Sequence, residues 1–161
     1  DKVFGKCDIF INNASVINTD LIEDVEDETL SNLLDVNVKA PILCCKYAFK
    51  AMKEKGGTII NVSSLSGIKG VEKFPGLSSY IASKFAIVGL TEALSVEGRP
   101  YNIRVNCIAP GGVDTRMVRT AFPNFTPVTV PDDISPTFLF LADESKSRKL
   151  TGEVIEIHCN T

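Results

Sequence analysis

Short apolar runs alternate with stretches of helical spacing along the chain. The first run, Cys7-Asp8-Ile9-Phe10-Ile11, closes on Asn12-Asn13 and predicts a buried strand followed by a turn. Residues 27–55 then predict one long helix with Leu30, Leu33, Leu34, Val38 and Ile42 on its apolar side. Asp27 and Glu28 crowd its first turn and Lys53 and Lys55 its last, the sense a helix dipole favours, and Gly56-Gly57 stops it. Thr58-Ile59-Ile60-Asn61-Val62 is a β-branched run and predicts a second strand, ending in Ser63-Ser64 and a glycine-dotted loop. Residues 79–97 predict a helix that Gly98 and Pro100 end. A third strand is expected over 103–109, running into Pro110-Gly111-Gly112. Residues 116–131 read as irregular, with Pro123, Pro127 and Pro131. Asp132-Asp133 opens a short apolar helix to Ala142, where Pro136 is tolerated if an Asp is the cap and the proline falls among the first unpartnered donors. A fourth strand is expected over 153–157. Such alternation predicts an α/β fold, with parallel strands joined by right-handed crossovers and helices covering the sheet.

Composition narrows the function. At 161 residues, 44% apolar and 23% charged, the chain reads as one soluble domain. Its 17 basic against 20 acidic side chains give a net charge of −3 without a basic run, a poor match to nucleic acid. No apolar run approaches the roughly 18 residues of a membrane span. Asp1-Lys2-Val3-Phe4-Gly5 has neither an initiator Met nor a signal-peptide pattern and reads as a cut inside a larger chain. Cys7, Cys44, Cys45, Cys107 and Cys159 are scattered without CxxC spacing, and His158 with Cys159 alone cannot complete a zinc site. Buried free thiols in a reducing cytosol, and no metal, are the expectation.

Chemistry concentrates at Tyr80-Ile81-Ala82-Ser83-Lys84, where a phenol and an ammonium stand one helical turn apart. A nearby cation favours phenolate, whose ordinary pKa is about 10. Bringing it near 7 takes about 4 kcal/mol, more than one exposed Lys supplies, so a cationic cofactor ring and desolvation are expected to help. Ser63-Ser64 ends the second strand, Asn106 to Gly111 ends the third and Asn12-Asn13-Ala14 ends the first. Three strand ends with small polar residues thus share the rim where open parallel sheets place ligands.

In this order, Asn12-Asn13-Ala14, Asn37 within Asp35-Val36-Asn37-Val38, Ser64, Tyr80 with Lys84, and Pro110-Gly111 resemble the short-chain dehydrogenase/reductase family, from Cys7 to Ile157. The resemblance implies the second half of a Rossmann-like, doubly wound parallel sheet, about four strands with covering helices. It also implies hydride transfer between NAD or NADP and a small-molecule alcohol or ketone. Tyr80 would be the general acid for reduction and the base for oxidation. Lys84 would lower the Tyr80 pKa and hold the nicotinamide ribose hydroxyls. Ser64, second of its pair, would fix the substrate oxygen, leaving Ser63 a buried hydroxyl bonded to backbone. Asn12 and Ala14 would line the adenosine side; Pro110, Gly111, the Val113 backbone and the Thr115 hydroxyl would hold the nicotinamide end. Asn106 is expected to tie strand to loop. Pro41 has no N–H for the Asn37 carbonyl, so the helical ladder should break there. The family uses a water at such a carbonyl to relay protons; the alternative is a kink that fits the helix to the sheet.

Departures from the family are specific. The glycine-rich pyrophosphate turn and the residue that tells NAD from NADP are missing, so residues 1–161 read as one partial NAD(P)-binding domain. Cys7 to Ile11 would be an apolar edge, covered by upstream residues or by another chain. Ser15 stands where glycine usually follows, Phe74-Pro75-Gly76 lengthens the stretch before Tyr80, and His158-Cys159-Asn160 replaces Asp-Gly-Gly. Met117, Phe122 and Phe125 suggest an apolar substrate or a self-packed loop. The helix over 79–97 is apolar nearly all round, and with the Asn37 helix it implies a homodimer or homotetramer. Two alternatives stay open: a catalytically silent module kept for subunit association, and a dehydratase or epimerase using the same tyrosine.

Overall fold

A computed structural model describes residues 6–159. Strands β1 (Ile9–Asn12), β2 (Gly57–Val62), β3 (Ile103–Pro110) and β4 (Val154–Ile157) form one parallel sheet in that spatial order. Asn12, Asn61, Cys107 and Val154 stand in register across it, so all four strands end on the same rim. Helices α1 (Asp27–Leu34) and α2 (Ala40–Met52) precede β2, α3 (Ser78–Gly98) precedes β3, and α4 (Arg116–Ala121), α5 (Pro131–Ala142) and α6 (Glu144–Ser147) precede β4.

Alternation along β2 and β3 splits the core into two layers, as a sheet buried on both faces requires. Ile59, Ile103 and Val105 point to Cys45, Ala48 and Met52 of α2, with Leu90 and Leu94 of α3 beside them. Ile60 and Ile108 point the other way, to Leu141 and Phe138 of α5. Each such aliphatic side chain contributes about 1.5–3 kcal/mol on burial. Thus the fold is the Rossmann-like parallel α/β architecture. No helix among the described residues is long and apolar enough to cross a membrane.

Four expectations need correction. First, the predicted helix over 27–55 is two helices joined by a π turn at Asp35–Lys39, where the Ala40 N–H donates to the Asp35 carbonyl. Its buried line is Leu33, Asn37, Pro41, Cys45, Ala48 and Met52, whereas Leu34 and Ile42 face outward, 41% and 46% exposed. The extra residue of the π turn rotates one helix against the next, which a single helical period cannot show. Second, β1 is not buried: Ile9 and Ile11 are half exposed because the strand pairs with β2 alone. Third, the stretch read as irregular contains α4, whose first turn is capped by the Thr115 hydroxyl accepting from the Val118 N–H at 3.3 Å. Fourth, α5 begins earlier than expected, with Val130 at its N-cap and Pro131 in its first turn, so Pro136 lies inside it. Ser135 repairs the loss: its hydroxyl donates to the Asp132 carbonyl at 3.1 Å, the group Pro136 cannot serve.

Among the thiols, Cys45 and Cys107 are buried, Cys7 and Cys159 partly so, and Cys44 is exposed; all five are free. No group of residues that could hold a metal occurs among the described residues. Arg104 is a charge in the interior, 7% exposed. Its guanidinium donates to the Ser147 carbonyl and hydroxyl and the Leu141 carbonyl, each at 3.0 Å, and to the Thr58 hydroxyl at 2.6 Å. It thereby joins β2, β3, α5 and α6.

Candidate active site

The site forms on the rim because β2 ends in a pair of serines that cannot both face the same way. Ser63 turns inward and its hydroxyl donates to the Lys84 carbonyl at 2.8 Å, the backbone role expected of it. Ser64 turns outward; its hydroxyl accepts from the Ser66 N–H at 3.2 Å and stands beside the Tyr80 oxygen. Gly67 permits this approach: a Cβ there would lie 2.7 Å from the Lys84 carbonyl carbon and from the Ser63 hydroxyl. The short turn after β2 therefore rests directly on α3.

Along α3, the buried face is Tyr80, Ser83, Lys84, Ile87, Thr91 and Ser95, all polar except Ile87 and at helical spacing. Lys84 is 3% exposed, with Nζ 5.5 Å from the centre of the Tyr80 ring and donating to the Val62 carbonyl at 3.1 Å. Burial lowers its pKa from 10.5 to about 8, partly opposed by Cys107. Tyr80 moves upward: burial raises its pKa, and the Ser64 hydrogen bond, which favours phenolate, pulls against that. Here the sign of one expected contribution is reversed. Desolvation hinders phenolate formation, and only charge and hydrogen bonding can oppose it.

Asn37 does not face the cavity. Its side chain lies behind α3, 1% exposed, and clasps the chain leaving β1. Oδ1 accepts from the Val16 N–H at 2.8 Å and the Ser15 hydroxyl at 3.1 Å; Nδ2 donates to the Val16 carbonyl at 2.8 Å and the Ser83 hydroxyl at 3.1 Å. Ser15, unusual at its position, thus adds a bond to this clasp. A π turn spans Asn37, and Pro41, four residues on, has no N–H to offer its carbonyl. Asn12 also turns into the fold, its Nδ2 within reach of the Pro41 carbonyl, Cys45 Sγ and Asn61 Oδ1 at 3.3, 3.2 and 3.0 Å. Ala14 is exposed on the rim. Pro110 ends β3, the Gly111 N–H donates to the Ile157 carbonyl at 2.9 Å, and Val113 is buried beside Thr129. Asn106 ties β3 to the chain entering β4, donating to the Leu150 carbonyl at 3.0 Å and accepting from the Glu153 N–H at 3.1 Å.

A cavity of about 720 Å³ opens over Ser64 and Tyr80. Met117, Phe122, Phe125 and Phe74 all line it. Leu65, Leu77 and Cys159 are walls the sequence reading missed. For Cys159 a signal existed: it follows a strand parallel to β3 and so had to emerge on the same rim. Asn160 lies outside the described residues.

The comparisons with known proteins match this geometry. The family described as short chain dehydrogenase matches residues 1–125. The chain belongs to the short chain dehydrogenase family. It is 34% identical to the 3-oxoacyl-(acyl-carrier-protein) reductase FabG of Chlamydia muridarum, over 96% of this chain and 65% of that one. Identity is 39% to the 3alpha-hydroxysteroid dehydrogenase of Mediterraneibacter gnavus, over 96% and 64%. A crystal structure of a short chain dehydrogenase from Escherichia coli CFT073 complexed with NADPH superposes with a TM-score of 0.87 at 28% identity, covering 96% and 64%. This short chain dehydrogenase chain therefore spans just under two thirds of the proteins it matches.

Proposed function

We propose that the protein is an NAD(P)-dependent oxidoreductase acting on a small-molecule alcohol or ketone, with Tyr80 as general acid and base. One observation carries the reading: the Tyr80 phenol and the Ser64 hydroxyl open on one cavity while the buried Lys84 ammonium stands 5.5 Å from the centre of the Tyr80 ring. The residues present suit a nicotinamide. Lys84 spends one of three ammonium donors on Val62, leaving two for the hydroxyls of a ribose. Thr115 accepts from the Val118 N–H and keeps its own proton to give to a carboxamide, beside the Val113 backbone. Asn12 and Ala14 would serve the adenosine side through backbone and rim surface. When bound, the nicotinamide supplies or accepts the hydride.

In reduction, Ser64 and Tyr80 hold the carbonyl oxygen between two hydroxyls, and Tyr80 gives it a proton as the carbon is reduced. In oxidation Tyr80 removes that proton. Lys84 stabilises the resulting phenolate and, with a pKa of about 8, exchanges protons readily near neutral pH. Asn37 fixes Ser83, the neighbour of Lys84, and its carbonyl, which Pro41 cannot serve, would be the place for a water that carries protons outward. Self-association as a homodimer or homotetramer belongs to the same proposal, through the apolar side chains that α2 and α3 leave exposed.

Tyr80→Phe in the full-length protein tests it. The expected loss in kcat is about 10²–10⁴-fold, with NADH or NADPH still bound by fluorescence titration. Retained turnover would overturn the assignment of Tyr80. A wild-type protein that binds neither cofactor and reduces nothing would instead be the silent module.

A further inference from the structure

The cavity over Tyr80 is chemically lopsided. Ser64 and Tyr80 stand together at the reacting end, and most of the remaining wall is hydrocarbon, contributed by Ile17, Val71, Leu77, Met117, Phe122 and Phe125. Phe74 also lines it while 56% exposed, and Phe125 is 43% exposed, so large apolar groups stand uncovered there. Soluble surfaces rarely leave such patches without an occupant. Among the described lining residues one side chain is charged, Glu72, and none is a Lys or Arg. A volume of about 720 Å³ has to take the nicotinamide against Gly111 as well as the substrate, so the apolar lining rather than the volume marks the substrate class.

We propose that this cavity selects a bulky, uncharged, hydrocarbon-rich alcohol or ketone and discriminates against substrates bearing a carboxylate. The proposal rests on the redox reading of the same site and adds the class of substrate. Binding energy comes from covering the exposed wall, so it grows with the apolar bulk of the substrate. An anion brought into the mouth meets Glu72 without a cation to offset it, and loses its hydration against hydrocarbon.

Two measurements on the full-length protein separate this claim from the redox assignment. In turnover, kcat/KM for 2-decalone should exceed that for acetone by on the order of 100-fold. The methyl ester of 4-oxocyclohexanecarboxylic acid should exceed the free carboxylate by about tenfold, and Glu72→Gln should narrow that second gap. Acetone matching decalone, or the carboxylate matching its ester, would overturn the proposal while leaving the redox reading intact. Independently of turnover, 2-decalone should slow the alkylation of Cys159 by N-ethylmaleimide, located by peptide mass mapping, without slowing that of exposed Cys44. Protection of Cys159 without any redox turnover would support the selectivity and remove the redox reading. No protection at saturating decalone would overturn the selectivity.

Discussion

Lys84 carries an ammonium into a place that burial makes unfavourable for charge, and its pKa falls to about 8 from 10.5. The unfolded chain keeps the ordinary value, so between those two pH values the unfolded state binds more protons. Stability owed to this side chain therefore rises with pH across that window, and below pH 8 the full cost stands, about 3 kcal/mol. Lys84→Met should be more stable than the parent at pH 7, with the advantage fading toward pH 10.5 in urea unfolding at each pH. The buried thiols act oppositely. Burial pushes Cys45 to about 12 and Cys107 to about 11, so their stabilisation is present below pH 9 and lost above it. Cys45 cancels between the two variants, whereas Cys107 is coupled to Lys84 and loses that stabilising charge in the variant, so the comparison is cleanest below pH 9. Asn37 is the converse case, a polar side chain buried with every group paired. Asn37→Ala leaves the Val16 backbone unserved and should cost about 2–3 kcal/mol in urea denaturation. The sequence marked both positions, Lys84 by its spacing from Tyr80 and Asn37 by Pro41. What Asn37 holds could not be read, because Val16 and Ser83 reach it only through tertiary folding.

Elements meet at this site with little clearance, and Gly67 shows how little. Gly67→Ala would press a methyl group onto the α3 backbone, and overpacking of that kind costs about 1–3 kcal/mol. Because the same turn holds Ser64 against Tyr80, kcat should fall more than KM rises. In α5, Ser135→Ala should cost about 1 kcal/mol by leaving the Asp132 carbonyl unpaired, and adding Pro136→Ala should recover it, a coupling that a double-mutant cycle reads directly. The strands were legible to within a few residues because β-branched runs such as Thr58 to Val62 admit little else. Helix faces were less so. Leu33 and Leu34 look alike in sequence, yet neighbours on a helix point about 100° apart, and only Leu33 turns to the core. Thr115 likewise gave no sign that its hydroxyl would begin a helix before a proline-rich loop.

At the scale of the molecule, two layers of helix close on one sheet, and the outer sides of α2 and α3 remain apolar. Leu34, Val38, Ile42 and Leu43 line a groove there, and Phe85 and Val96 of α3 are 39% and 58% exposed. If the proposed self-association uses this face, Ile42→Glu with Phe85→Glu shifts the full-length protein toward monomer in light-scattering chromatography; an unchanged mass would remove this face from the proposal. On the opposite layer, Arg104 has oxygen atoms from two helices and a neighbouring strand around it, yet no carboxylate among its hydrogen-bond partners. Peeling α5 or α6 away would break charge-assisted hydrogen bonds of that cation and uncover the apolar core beside it, so neither short helix detaches alone at low cost. Slow amide exchange should consequently extend through α5 and the chain around Ser147, so that this side of the protein melts only when the sheet itself comes apart.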